Sequence, residues 1–173
     1  VWQTVEVGGA QRRCTTAADA GAFYSAFRGA GLEYGPAFLT VEAVWGGRRE
    51  AATRLRRRVA LQGTQVHPAD LDGALQSSIS LLAHGGGAGG ATETWLPFAV
   101  EAALLRGRAA GAQWVVVTGR EAEAADVRLV AGVSGEGGAQ LEGFRTRVLA
   151  ASSRQTQHLY VTEWQRPSAA PPD

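Results

Sequence analysis

The sequence predicts an α+β protein in which an antiparallel sheet wraps one central helix. Three observations carry this reading. Residues 38–61 read as a hairpin turning at Gly46-Gly47, residues 70–83 hold the longest helical pattern, and most of the chain from Trp95 to Ala151 has the apolar runs of strands.

The elements follow in order. Residues 1–14 open with the short alternation Val1-Trp2-Gln3-Thr4-Val5-Glu6-Val7 and run into Gly8-Gly9, as a leading strand or the tail of a linker. Residues 16–29 predict a short amphipathic helix. Thr15 or Thr16 can cap it, Asp19 lies in its first turn, Phe23, Phe27 and Ala30 recur at helical spacing, and Gly29 and Gly31 end it. Gly35-Pro36 then breaks the chain, because proline pushes the residue before it out of the helical region. In the second strand of the hairpin, Thr53, Leu55, Val59 and Leu61 share one face. Arg54, Arg56 and Arg58 share the other, which reads as a solvated sheet face.

His67-Pro68 opens the long helix, proline suiting a first turn. Its apolar stripe (Leu71, Ala74, Leu75, Ser78, Ile79, Leu82) is wide and little charge flanks it, so this helix is expected to be buried on most sides. The glycine-rich tract that starts at His84 ends it as a loop. Residues 95–105, 113–119, 125–133 and 140–151 read as strands, the last two joined by a turn at 134–138. The globular unit is therefore expected over 15–151. Residues 1–14 precede it, and 152–173 form an exit linker with a Pro/Ala tail.

Composition excludes several function classes. The 173 residues suffice for one real core, and 23 Gly with 6 Pro stay below the level of a disordered chain. Seventeen Lys+Arg against sixteen Asp+Glu leave a formal charge of +1, which argues against a dedicated nucleic-acid binder. No apolar run approaches the roughly 20 residues that span a bilayer. One cysteine, Cys14, rules out an internal disulfide framework, and no metal-ligand spacing surrounds it. With neither a signal-peptide pattern nor an initiator methionine at Val1, the expectation is a cytoplasmic domain cut from a longer protein. The glycine tract lacks the Lys-Ser/Thr of a phosphate loop. His84-Gly85-Gly86-Gly87 has no Gly-x-Ser-x-Gly elbow to make it an esterase oxyanion loop.

Two clusters can carry chemistry: Tyr34-Gly35-Pro36-Ala37-Phe38 and the run from His67 to Gln76. Asp72 and Gln76 are four apart, so one helix face presents a carboxyl group beside an amide. A carboxylate in a largely apolar helix is expensive unless something needs it. To serve as a general acid near neutral pH, Asp72 would have to be lifted from about 3.9 by roughly three units, or about 4 kcal/mol, within the range of buried carboxyls. The alternative is a structural carboxylate near a helix N-terminus, where negative charge is favoured.

Tyr34-Gly35-Pro36-x-Phe38, His67-Pro68-x-x-Leu71-Asp72-x-x-x-Gln76 and Leu96-Pro97-Phe98 resemble, in order and interval, the motifs of dehydratase domains of modular polyketide synthases, in particular the second half of that domain. Phe23-Tyr24, Val44-Trp45, Glu50-Ala51, Leu141-Glu142-Gly143-Phe144 with Arg147, and Leu159-Tyr160 with Trp164 fit the same resemblance, which covers roughly residues 11–166. It implies a hot-dog fold, this chain being the C-terminal half of a double hot dog, with residues 67–83 as the central helix. It further implies that Asp72 protonates the hydroxyl leaving a 3-hydroxyacyl thioester, while a histidine of the other hot dog removes the α-proton. Gln76 would hold Asp72, Tyr34 would line the pocket, and Gly35, Pro36, His67, Pro97 and Phe98 would support it.

The resemblance also implies a substrate carried on the phosphopantetheine of an acyl carrier protein, and no cofactor or metal. The implied partners are that carrier and a second hot dog, or a copy of this chain in a dimer, with neither nucleic acid nor membrane among them. The chain departs from the family in three ways. The His-x-x-x-Gly-x-x-x-x-Pro motif is absent, which predicts an inactive isolated half. His67, His84 and His158 are read instead as a helix lead-in, a loop residue and part of the polar exit segment. Asp70 stands where the family is usually apolar, either facing solvent or loosening the helix start, and Gly73 stands where it usually has Ala. A double-bond isomerase or cyclase on the same site, and a non-catalytic hot dog serving as scaffold or docking platform, are the alternatives.

Overall fold

A computed structural model of the chain describes residues 1–58, 63–84, 94–106, 111–120, 124–132 and 136–148. Val59, Leu61, the glycine tract 85–90, Ser134 and Gly135 of the turn expected at 134–138, His158 and the exit segment lie outside the described residues.

The chain runs α1 (Val7–Arg13), β1 (Thr16–Asp19), α2 (Ala20–Gly29), a 3-10 turn (Pro36–Phe38), β2 (Val41–Gly46), β3 (Glu50–Arg58), α3 (Pro68–His84), β4 (Trp95–Ala99), β5 (Ala102–Leu105), β6 (Gly111–Gly119), β7 (Ala124–Ala131) and β8 (Glu136–Val148). The eight strands form one sheet in the order β1-β2-β3-β6-β7-β8-β4, with β5 also on β8, and every pairing is antiparallel. α3 lies across β2, β3, β6 and β7. The expected architecture, a sheet wrapped on one central helix, is the observed one.

Strand alternation sorts the sheet into two faces. One cross-strand row reads Val44, Thr53, Val115, Leu129, Ala139, and these residues are buried on the side of α3. There they join Leu55, Ala74, Leu81, Val117, Val127, Leu141 and Phe144 in the main core. Leu55 and Leu129 are each 1% exposed, and such burial contributes about 1.5–3 kcal/mol per side chain. The adjacent row, Trp45, Ala52, Val116, Arg128, Gln140, faces the other way. Val7 and Ala10 of α1 cover Ala52, Val116 and Val130 there, beside the stacked rings of Trp45 and Trp114.

Several elements differ from expectation. Residues 7–13 are helical, where a strand or linker tail was expected, because Val7 and Ala10, three apart, dock on the outer sheet face. The segment before α1 is also engaged: the Gln3 amide donates to Gln140 Oε1 at 3.0 Å and the Gln3 side chain bonds Arg128. The helix expected from residue 16 begins at Ala20. Thr16–Asp19 pair with β2 instead, and the cap is Asp19, whose Oδ1 accepts from the Ala22 amide at 2.8 Å. Residues 95–105 form two strands, broken at Val100-Glu101, both resting on β8. Glu136–Gly138 belong to β8, and His84 is the last residue of α3, not part of a loop.

Candidate active site

Four elements build the site: α2, the loop that follows it, the 3-10 turn and the first half of α3. α2 presents Phe23, Tyr24 and Phe27 inward; Phe27 packs edge-on with Tyr34 at 5.2 Å, and Phe23 packs edge-on with Tyr24 at 5.2 Å. Gly31 closes α2 with φ +80, a conformation that glycine adopts without strain, and the Leu32 amide bonds back to the Phe27 carbonyl at 2.9 Å. That reversal carries the chain to Tyr34. Pro36 then starts the 3-10 turn, whose Phe38 amide bonds the Gly35 carbonyl at 2.9 Å. Through this turn Gly35-Pro36 set the position of the Phe38 main-chain carbonyl.

That carbonyl meets α3. Gln76 Nε2 donates to Asp72 Oδ2 at 2.7 Å and to the Phe38 carbonyl at 3.4 Å. The Tyr24 hydroxyl lies 3.2 Å from Gln76 Oε1 and 3.3 Å from the Phe38 carbonyl, and it accepts from the Val41 amide at 3.0 Å. Asp72 Oδ1 accepts nothing among the described residues, which leaves one carboxyl oxygen for a ligand. Burial pushes the Asp72 carboxyl above the usual carboxylate range, and the Gln76 hydrogen bond opposes it. Burial, then the nearby Asp72 charge, then Tyr24 push the Tyr34 phenol up to about 12, so it is a protonated donor at neutral pH. The arrangement can hand a proton from Asp72 to a leaving oxygen.

His67 leads into α3 as expected: its Nδ1 accepts from the Ala69 amide at 3.1 Å and its carbonyl from Asp70 and Leu71. Asp70 is neither solvent-facing nor a weak point. It is fully buried and accepts from Arg58 Nε at 3.0 and 2.9 Å, with Arg58 Nη2 at 2.9 Å. Arg58 thus departs from the solvated arginine face expected of β3, because the strand register shifts between Leu55 and Arg58 and turns it toward the helix. Gly73 has a contact reason: a Cβ there would meet Thr40 Oγ1 at 2.2 Å.

Pro97 and Phe98 are not brought to this centre. They lie exposed on β4, at the far end of the sheet order from β1, with Phe98 64% exposed and Arg147 stacked 5.6 Å above its ring. Sequence reasoning placed no role on Tyr24, Thr40, Arg58 or the Phe38 carbonyl. Only the Phe23-Tyr24 pair gave a signal, as part of the resemblance. Among the described residues no group of His, Cys, Asp and Glu could hold a metal ion.

A family model described as polyketide synthase dehydratase N-terminal domain matches residues 3–156. The chain belongs to the polyketide synthase dehydratase family. Among the relatives of this dehydratase-family chain, polyketide synthase GfsE of Streptomyces halstedii is 38% identical over 132 residues, covering 73% of this chain and 3% of that protein. Polyketide synthase PksN of Bacillus subtilis is 29% identical over 133 residues, 73% and 2% respectively. The chain thus spans a few per cent of the length of the curated relatives it matches. A dehydratase domain of a trans-AT polyketide synthase from Brevibacillus brevis superposes with a TM-score of 0.72 at 25% identity, over 85% of this chain and 54% of that one. The dehydratase domain of the CurK module of the curacin synthase gives 0.73 at 22%, over 87% and 54%. The antiparallel sheet on its central helix is the hot-dog fold of these dehydratases.

Proposed function

We propose that this chain is the C-terminal hot dog of a polyketide synthase dehydratase and that Asp72 is its general acid. The observation that carries the reading is Asp72 itself: half-buried on α3, raised by burial, held by Gln76 through one oxygen, and with no partner for the other among the described residues. The matching family model is described by the N-terminal domain. What supports the second half is the helix motif from His67 to Gln76, together with the absence from the sequence of a His-x-x-x-Gly-x-x-x-x-Pro motif. In the CurK dehydratase, a histidine-to-phenylalanine variant and an aspartate-to-asparagine variant are both described as inactive. That fits a reaction needing one base and one acid.

The substrate is a 3-hydroxyacyl thioester on the phosphopantetheine of an acyl carrier protein. A histidine of the companion hot dog takes the α-proton. The electron pair left on the α-carbon forms the C=C bond, the C–O bond at the β-carbon breaks, and Asp72 protonates the departing hydroxyl so that water leaves. Tyr34, protonated and beside Asp72, lines the pocket. The burial of Asp70 against Arg58 removes one ground for a non-catalytic scaffold, since the start of α3 is pinned. Exposed Phe98, Val100, Leu104 and Leu105 on and between β4 and β5 offer an apolar surface to a second hot dog.

A mass-spectrometric dehydration assay on a 3-hydroxyacyl-pantetheine thioester tests this. Turnover is expected when the chain is paired with a hot dog carrying the histidine motif, not with the chain alone, and it falls by about 10²–10⁴-fold on Asp72→Asn. A folded, associated pair without turnover overturns the reading in favour of a scaffold. A product with a displaced double bond and no loss of water overturns it in favour of an isomerase.

A further inference from the structure

The hydrogen bonds behind Asp72 have a direction that the acid alone does not require. The Val41 amide donates to the Tyr24 oxygen, so the tyrosine proton must point elsewhere, and its two neighbours, Gln76 Oε1 and the Phe38 carbonyl, can only accept. At Gln76 the same logic continues: with Oε1 turned to Tyr24, the NH₂ group faces Asp72 and Phe38. Reversing the amide would set Oε1 against a carboxylate and a carbonyl, acceptor on acceptor. Gln76 is 2% exposed and Tyr24 7%, so water is poorly placed to repair a reversed amide.

We propose that Tyr24 is a positioning residue for the acid, acting through Gln76 by fixing which end of its amide faces Asp72. Tyr24 does not touch the substrate in this role. It relays the orientation of a backbone N–H on β2, through a phenol and an amide, to a carboxyl on α3. Burial raises the Tyr24 phenol, which keeps its proton in place as a donor. Among the described residues, the titratable groups facing Asp72 are the phenols of Tyr24 on α2 and Tyr34 on the loop after it, both protonated at neutral pH. Asp70, on the same helix, is spent on Arg58. The relay therefore controls the hydrogen bond from Gln76 that favours the ionised form of Asp72.

The inference matters for catalysis only if Asp72 is the acid, but its test reads Asp72 directly and needs neither substrate nor companion hot dog. The Asp72 carboxyl carbon is titrated by NMR in the full chain. Tyr24→Phe is expected to raise its midpoint by about 0.5–1 unit, as the amide loses its anchor and samples the reversed state. In a Gln76→Leu background the same substitution is expected to shift it by less than about 0.2 unit, because the relay is already cut. Fluorotyrosine at position 24 keeps the ring and the hydroxyl but donates more strongly, and it should lower the midpoint. A Tyr24→Phe shift that persists at full size with Gln76→Leu overturns the proposal, since Tyr24 then acts on Asp72 without the amide. So does an unmoved midpoint with fluorotyrosine, which stays informative if Tyr24→Phe does not fold. An inactive assembled pair with these titrations intact would refute the acid and leave the relay standing.

Discussion

Asp70 and Asp72 stand two residues apart on one helix and receive opposite treatment. Asp70 turns toward β3, is fully buried, and meets a full countercharge in the fork of Arg58. Asp72 turns toward α2 and the 3-10 turn, keeps some exposure, and among the described residues meets neutral groups, an amide and two phenols. A guanidinium beside a carboxylate locks it in the charged form and ties two elements together. A neutral donor favours the ionised carboxyl less than a countercharge does, so burial can still raise it. The first carboxyl ties the helix to β3 and the second meets no countercharge among the described residues, although sequence spacing alone makes them near equals.

Breaking the Arg58 side should have the largest effect. Arg58→Ala leaves Asp70 buried without a countercharge and is expected to cost about 3 kcal/mol, or roughly 10 °C in thermal midpoint. Replacing both partners, Asp70→Leu with Arg58→Met, should recover most of it, and calorimetry of the three proteins checks this. An unchanged midpoint in Arg58→Ala would mean that Asp70 is hydrated after all. Next in size is Gly73→Ala, which drives a methyl into Thr40 Oγ1 and should cost about 1–3 kcal/mol in urea unfolding. Thr40→Ala should relieve much of that cost; no relief would place the strain elsewhere.

The smallest effect sharpens the Asp72 side. Its folded pKa lies above the unfolded one, so the stability it contributes is complete below the unfolded carboxyl range and is lost as pH rises through the folded value. Asp72→Asn removes that loss. The variant should melt about 1–2 °C above the parent at pH 7 and show no such gain near pH 3, in paired thermal scans. An equal gain at both pH values would trace the effect to packing instead of charge.

How much of this could be read in advance follows from where each signal resides. α3 and the β2–β3 hairpin were legible because a wide apolar stripe and a Gly-Gly turn are local features. Asp72 and Gln76 were legible as a pair because four residues on a helix bring them together. α1 was not, since two turns show no period and its reason for existing, the outer sheet face, is built from β2, β3, β6 and β7. The Asp70–Arg58 pair was hidden by regular alternation along β3, which carries no mark of the register shift that turns Arg58 inward. Phe38 contributes a main-chain carbonyl, which has no side-chain signature. The same holds for Gly73, whose reason lies in Thr40 on another segment. Pro97 and Phe98, read as support through the resemblance, lie exposed on β4, away from the Asp72 centre.

The place of β6 in the sheet has a consequence for the birth of the protein. β3 pairs with β6, and all of α3, β4 and β5 lies between them in the chain. During synthesis the elements from α1 to α3 emerge before β6, and β3 then offers a bare edge with Ala51, Ala52 and Leu55 uncovered by their later neighbours. Such pairing across a long intervening segment is slow, and an open edge accepts whichever strand arrives. Until β6 reaches it, the strands of this chain compete for that edge with those of any neighbouring nascent copy.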